Sequence, residues 1–416
     1  MKYLYNIGIL IYTFAARIIS PFSEKARLWT SGRKDWEKKL AEKVSSKNTN
    51  LWIHCASLGE FEQGRPLMES IRRTRPDIRI ILTFFSPSGY EIRKNYNMAD
   101  YVCYLPADTP INAARFISAV NPLAVIFVKY EFWNNYITLL GKQRIPFYLV
   151  SGIFRPGQHF FRWYGSFFRK MLFRFSHIFV QDCRSAELLI NSGIENVTVA
   201  GDTRFDRVVE IAASAKEIPR IEKFRSTGKL IMVGSSWWQD EEIIAEYIKG
   251  HGGNLKWVFA PHEIDKPNIE RLEKLLGGRV VRFSEYSDDS SDVAVMIIDN
   301  IGMLSSAYRY AHIAVIGGGF GKGIHNILEA ACWGIPVVFG PNHGKFREAV
   351  GMIAAGGARS YGNYDDFRQI IDSWLADENY YKSSANSARD YVRSNTGATA
   401  IILEKLNLKD INMPSS

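Results

Sequence analysis

The stretch LWIHCASLGEFEQGRPLMESIRRTRP, residues 51–76, decides how this chain of 416 residues is read. It begins with a short apolar run, LWIHCA, of strand-favouring residues, and passes into GRPLMESIRRTRP, whose apolar positions recur at helical spacing. A buried strand feeding an amphipathic helix is part of a βαβ unit. The junction HCASLGEF, residues 54–61, has two readings. Ser57 followed three residues later by Glu60 spells a capping box, in which both side chains satisfy free backbone donors at a helix start. A carboxylate in the first turn of a helix, just past a strand, is also where an open α/β sheet places a catalytic base. These residues alone leave both readings open, because an acid in a first turn is an ordinary stabiliser.

The alternation continues along the chain. The runs RIILTFF, YVCYLP, LAVIFV, IPFYLVS, HIFVQD and VTVAG alternate with helical patterns. After a charged, alanine-rich helical stretch broken by Pro219, the rhythm restarts with KLIMVGSS, KWVFAPH, RVVRF, VAVMIID, HIAVIGGG and PVVFG. This predicts an α/β fold of two Rossmann-like halves with mostly parallel sheets. The expected organisation is an anchor and basic flank over residues 1–35, a first half over 36–206, a linker over 207–228 and a second half over 229–416. Helical sequence from about Asp365 to Leu406 closes the chain, whose length suits two domains.

A formal net charge of +9 implies a negatively charged partner or surface, either nucleic acid or anionic lipid. Cys55, Cys103, Cys183 and Cys332 are scattered, form no CxxC pair and have no metal-ligand spacing with histidines, which suits a reducing compartment. The N-terminal run from Tyr3 to Ser20 is apolar apart from residues such as Asn6 and Arg17 and has no small-residue cleavage site. It is marginal for a span, which needs about 20 apolar residues. It predicts a helix lying in or shallowly crossing a membrane, with Lys25, Arg27, Arg33 and Lys34 on the cytoplasmic side; a buried core helix is the alternative. In residues 154–175, Phe160, Tyr164, Phe167, Phe168, Met171, Leu172 and Phe175 recur at helical spacing among Arg155, Arg162, Arg169, Lys170 and Arg174. That predicts a basic amphipathic helix on a membrane surface, with single-stranded nucleic acid or a plain core stripe as the alternatives.

The segment IGGGFGKGIHNILEAACWGIPVVFG, residues 316–340, sits at a strand end and leads toward a helix. It has neither G-x-G-x-x-G spacing nor the G-K-S/T of a P-loop. What remains is a loop whose backbone at Gly318 and Gly319 can approach a phosphate and deliver it to a helix N-terminus. Glu329, expected one turn inside that helix, suits paired ribose hydroxyls.

Taken in order, WIHCASLGEF, VKYEFWNN, VQDCRSAELLINSGIENVTVAGDTRFDR, GSSWWQDEE, FAPHE and GGGFGKGIHNILEAACWG resemble the Kdo transferases of lipopolysaccharide synthesis, over nearly the whole chain. These enzymes move 3-deoxy-D-manno-octulosonic acid (Kdo) from CMP-Kdo to a lipid A precursor. The resemblance implies a GT-B glycosyltransferase of glycosyltransferase family 30, two Rossmann-like domains facing a cleft, with the acceptor on the first and the nucleotide on the second. By matching position, Glu60 is the general base, and Glu131 and Arg204 stabilise the transition state. Pro261, His262, Ile301, Gly302, Met303, Asn326, Ile327, Leu328 and Glu329 hold CMP. The chain departs from the family pattern at Arg204, where Lys is usual, at His262, where Arg is usual, and at Ile327, where Pro is usual. Arg for Lys keeps charge and changes its geometry, while an imidazole is a weaker phosphate partner at neutral pH.

The chemistry asks for little else. Direct attack on the anomeric carbon inverts it and needs one base. The leaving CMP carries one phosphate, which a helix N-terminus and Arg204 can neutralise without a metal or other cofactor, and the chain has no Asp-x-Asp motif. The expected partners are CMP-Kdo, a lipid A precursor and an anionic membrane surface, with no nucleic acid, at the cytoplasmic face of the inner membrane. A GT-B transferase using a UDP-sugar and a non-catalytic membrane-anchored nucleotide-sugar binder are the alternatives.

Overall fold

The computed structural model describes residues 1–251, 255–278, 280–287 and 293–406. The last ten residues of the expected second half, 407–416, and Arg279 of RVVRF lie outside them. The chain divides into two compact units, Met1–Asp206 with Thr396–Ser416, and Arg207–Asn395.

In the first unit, β1 (Asn50–Cys55), β2 (Arg79–Phe84), β3 (Tyr101–Tyr104), β4 (Pro122–Val128), β5 (Phe147–Gly152), β6 (His177–Val180) and β7 (Val197–Val199) form one parallel sheet ordered β3-β2-β1-β4-β5-β6-β7. Every residue of β1 is buried, which is why its sequence reads as a continuous apolar run. Trp52 and Phe127 face one core with Phe116 and Tyr136, while Ile53 and Ile126 face the opposite core with Leu67 and Ile71. In the second unit, β8 (Lys229–Ser236), β9 (Leu255–Pro261), β10 (Val280–Arg282), β11 (Val295–Ile297), β12 (Ile313–Ile316), β13 (Val337–Phe339) and β14 (Ala358–Ser360) form a second parallel sheet ordered β10-β11-β9-β8-β12-β13-β14.

Strand order reverses between β1 and β4 in the first sheet and between β8 and β12 in the second. Loops leaving the carboxyl ends at such a point diverge, and ligands of open α/β sheets bind there. Each reversal carries a non-glycine residue with left-handed backbone: Lys129 (φ 64°), just after β4, and Ser235 (φ 51°), near the end of β8. Strain of this kind persists where surrounding structure imposes it, often beside functional sites.

Three expectations need correction. The last helix, Ala398–Leu406, belongs to the first unit, where Ile402 and Leu406 join the core of Leu67 and Ile71. The Asp206 carboxylate fixes its start by accepting the Gly397 and Thr399 N–H groups. The expected linker, 207–228, belongs to the second unit; it is helical as its sequence reads, over Thr203–Ala213 and Pro219–Arg225, with Ile221 and Phe224 buried. Residues 154–175 form no continuous amphipathic helix. A single 3-10 turn, His159–Phe161, is separated from a short helix, Ser166–Leu172, by Gly165, where a Cβ would lie 1.6 Å from the His159 carbonyl oxygen. Phe160, Met171, Leu172 and Phe175 are core residues, and Arg169 donates to the carbonyls of Phe160 and Arg162. Phe160, Phe167, Phe168, Met171, Leu172 and Phe175 of the stripe pack the core beside the first sheet, whereas Tyr164 and its neighbour Trp163 are exposed.

The N-terminal helix, Lys2–Ile19, buries none of its residues, and Leu4, Ile7, Leu10, Ile11, Phe14 and Ile18 are exposed. Among the described residues no single helix is long and apolar enough to cross a membrane, whereas Lys2–Ile19 and Glu24–Gly32, bent by 120°, pass that test as a pair.

Candidate active site

Glu60 lies in the first turn of helix Leu58–Thr74, directly after β1. Ser57 is the N-cap residue, yet its hydroxyl caps no backbone N–H; it donates to Glu60 Oε2. The expected capping box is therefore absent. A carboxylate is a stronger acceptor than the alternatives open to the hydroxyl, so the two side chains bond to each other.

Glu131 follows β4, on the other side of the strand reversal, and is 7% exposed. Its Oε2 lies 2.8 Å from His54 Nε2 and accepts the Trp133 indole N–H at 2.7 Å. His54, wholly buried on β1, has its Nδ1 2.8 Å from the Thr83 hydroxyl, which in turn accepts the Trp52 indole N–H at 2.7 Å. The polar chain from Trp52 to Trp133 thus ends on one carboxylate in an apolar wall. Sequence reasoning passed over His54 because a histidine inside an apolar strand reads as core; its signal was a polar residue in a run otherwise buried on both faces. Burial pushes the Cys55 thiol well above its ordinary value, with the Glu60 and then the Glu131 carboxylate adding to the shift. Both acids therefore act on one thiol at the carboxyl end of β1.

Arg204 opens helix Thr203–Ala213 and is clamped by Asp202, with Nη2 to Oδ2 at 2.7 Å and Nε to Oδ2 at 3.0 Å. The expected cation is an ion pair, which changes what it can neutralise. The Thr203 hydroxyl donates to the Gln63 carbonyl at 2.6 Å, joining this helix to the one that carries Glu60.

The second unit carries its own cluster at the β8/β12 reversal. Gly317 admits no side chain, since a Cβ there would lie 2.3 Å from the Ser235 carbonyl oxygen, and one on Gly319 would lie 2.5 Å from Gly340 Cα. The Gly318 N–H donates to buried Asp240 at 2.9 Å, so it is not available to a phosphate. Pro261 ends β9, and His262 stacks between Trp237 and His325, with centroids 4.7 and 4.6 Å apart. The Trp237 indole donates to His325 Nε2 at 3.1 Å.

Burial, and then the His262 imidazole, push His325 down to about 4. Its unfolded-chain value is ~6.5, so the folded state binds fewer protons across that interval and stability present above it is lost as pH falls toward 4. The urea midpoint of the wild-type chain should therefore drop more between about pH 7 and about pH 4.5 than that of His325→Gln. Parallel curves would remove His325 from the acid response.

The remaining nucleotide candidates converge through Ser305. Its hydroxyl donates to Glu329 Oε2, and Asn326 Nδ2 donates to Glu329 Oε1 at 3.0 Å. Ser305 belongs to the helix Leu304–Ala307 that follows the turn Ile301-Gly302-Met303, where Ile301 is exposed and Gly302 has φ 98°. The structure corrects two expectations here. The helix is only Leu328–Ala331, so Glu329 is in its first turn rather than one turn inside. Ile327 and Leu328 are wholly buried, and the Leu328 N–H donates to Asn326 Oδ1 at 3.2 Å, so neither presents a side chain to a ligand. Ser305, Asp240, Trp237 and His325 were not singled out from the sequence. Among the described residues no group of three or more His, Cys, Asp or Glu could hold a metal ion.

Residues 34–207 match the family model described as 3-Deoxy-D-manno-octulosonic-acid transferase (kdotransferase). The chain is 30% identical over 330 residues to the 3-deoxy-D-manno-octulosonic acid transferase of Aquifex aeolicus (strain VF5), covering 77% of this chain and 85% of that one. It is 25% identical over 374 residues to the enzyme of the same name from Haemophilus influenzae, covering 86% of each chain. In structure it is similar to the UDP-GlcNAc 2-epimerase from Neisseria meningitidis bound to UDP-GlcNAc, with TM-score 0.60 and 18% identity over 87% of this chain and all of that one. That likeness is one of fold, two parallel-sheet α/β domains of the GT-B type.

Proposed function

The chain belongs to the 3-deoxy-D-manno-octulosonic acid transferase family, and from that premise we propose that it transfers Kdo from CMP-Kdo to a lipid A precursor, lipid IVA, in lipopolysaccharide synthesis, with inversion at the anomeric carbon. The observation that carries the reading is the side chain of Glu60, which accepts the Ser57 hydroxyl instead of being spent on the helix cap. An acceptor hydroxyl attacks the anomeric carbon and Glu60 takes its proton. The bond from that carbon to the CMP phosphate oxygen breaks, and CMP leaves with the electron pair. Buried Glu131, held by His54 and Trp133, faces the oxocarbenium-like charge as a fixed carboxylate. Arg204, already neutralised by Asp202, acts through orientation more than net charge. His262 and the backbone at Gly319 meet the phosphate, and Glu329, poised by Ser305 and Asn326, meets the ribose. No metal or other cofactor enters this scheme. The lipid acceptor places the protein at the cytoplasmic face of the inner membrane, a location supported by the exposed apolar side chains of the N-terminal helix.

The test is incubation of the full chain with CMP-Kdo and a tetra-acylated lipid A precursor, followed by weighing of the product lipid. A gain of one or more Kdo masses is expected; stabilisation by UDP but not CMP would replace the donor. Within this reading, Glu329→Ala should weaken CMP by about 1.5 to 3 kcal/mol, the range for a hydrogen bond to a charged group. Unchanged CMP affinity by calorimetry would remove Glu329 from the ribose.

A further inference from the structure

The helix Asn134–Lys142 starts three residues after Glu131, and its N-cap residue, Trp133, supplies no side-chain cap. The Trp133 indole N–H goes instead to Glu131 Oε2. The first free N–H groups of that helix are satisfied from elsewhere in the chain. The Tyr5 hydroxyl accepts the Asn134 N–H at 3.3 Å, and Asp108 accepts those of Asn135 and Tyr136 at 3.0 and 3.1 Å. Tyr5 in turn donates to Asp108 at 2.6 Å, so phenol and carboxylate act as one cap. We propose that Tyr5 is a positioning residue for Glu131: the N-terminal helix caps the helix that follows the acid and thereby fixes where the carboxylate stands.

Tyr5 lies on Lys2–Ile19, a helix that buries none of its residues, so polar ties matter to its seat. Asn6 accepts the Asn135 side-chain N–H at 3.0 Å, and the same amide donates to the Asp108 carbonyl at 2.6 Å. Two turns further on, Tyr12 reaches the Phe85 ring, with centroids 6.0 Å apart, and Phe85 packs on Trp133 at 4.7 Å. The helix therefore meets the segment from Glu131 to Asn135 twice, at Trp133 through Phe85 and at Asn134 and Asn135 directly. Burial, and then the Asp108 carboxylate, push the Tyr5 phenol well above its ordinary value, so it keeps the proton that it donates. Leu4, its neighbour in sequence, is exposed.

The inference rests on the role given to Glu131 in sugar transfer, and its test reads the two separately. The full chain in nonionic detergent carries carbon-13 in its histidine rings, and the His54 NMR signal is identified by its loss in His54→Gln. Because His54 Nε2 lies 2.8 Å from Glu131, that signal reports the carboxylate without turnover. Tyr5→Phe, which removes the hydroxyl alone, should move the His54 signal, whereas Leu4→Ser on the same helix should leave it in place. With CMP-Kdo and a tetra-acylated lipid A precursor, Tyr5→Phe should lower kcat about tenfold or more at unchanged KM for the donor, as a displaced catalytic group does. Glu131→Gln should be slow by itself, and adding Tyr5→Phe to it should cost little more, since both act on one group. Unchanged melting temperature checks the fold; if Tyr5→Phe melts early, Asn6→Ala carries the same comparison. A His54 signal unmoved by Tyr5→Phe, one moved as far by Leu4→Ser, or wild-type kcat in Tyr5→Phe beside a slow Glu131→Gln would each overturn the proposal. A full rate in Glu131→Gln beside a moved signal would instead remove Glu131 from the chemistry and leave its tie to the N-terminal helix standing.

Discussion

Glu60→Gln should lower the rate of sugar transfer by a factor of about 10² or more, the usual worth of a positioned base, while leaving the melting temperature close to that of the wild type. The structure sharpens this expectation. Had Glu60 capped its helix, glutamine would have served nearly as well, since an amide oxygen accepts a backbone N–H. Here the carboxylate accepts the Ser57 hydroxyl, a bond that an amide oxygen also accepts, so the local geometry survives while the capacity to take a proton does not. CMP affinity should be unchanged, because the nucleotide candidates lie on the other sheet. Stability, donor affinity and single-turnover rate belong on one preparation. Near-normal turnover by the glutamine variant would leave the base unassigned and reduce Glu60 to a partner of Ser57.

The parallel sheets were legible because strands covered on both faces must be apolar throughout, and LWIHCA, LAVIFV and HIAVIGGG each announce one. What lay outside local pattern was lost. Nothing in ATAIILEKL says which unit its apolar residues cover; Asp206, nearly two hundred residues earlier, settles that by holding Gly397 and Thr399. The stripe from Phe160 to Phe175 has helical spacing, but Gly165 folds the chain back on the His159 carbonyl and breaks the helix that the period implied.

The position of two candidates, Glu60 and the glycine loop, was legible from their place at strand ends, while Glu131 was reached only through the family resemblance. Glu60, Glu131 and the glycine loop all fall at strand reversals, and that follows from topology alone. The residues that hold them could not be read. Asp240 takes the Gly318 N–H across a sequence separation no motif spans, and Ser305 reaches Glu329 from another loop. Such partners become visible only when buried polar atoms are matched one by one.

His54 gives the strongest test of that matching. Replacing it with Phe fills most of the volume but leaves the Glu131 carboxylate, 7% exposed, with the Trp133 indole in place of two partners, and leaves the Thr83 hydroxyl with only the Trp52 indole N–H and, at 3.4 Å, the Ile53 carbonyl. Losing one hydrogen bond to a buried carboxylate costs about 1.5 to 3 kcal/mol, a large part of the ~5–15 kcal/mol that holds a typical domain together. His54→Gln, which can still donate to Glu131, should cost less. If His54 only fills space, the order reverses, since Phe is then the milder change. The charge itself is tested by adding Glu131→Gln to His54→Phe, because a neutral amide is cheaper to bury than an unpaired carboxylate. The double variant should recover part of the loss, giving a coupling energy of about 0.5 to 3 kcal/mol from urea midpoints at constant slope. Additive losses in the two single variants would mean that the imidazole and the carboxylate stand side by side without acting as one unit.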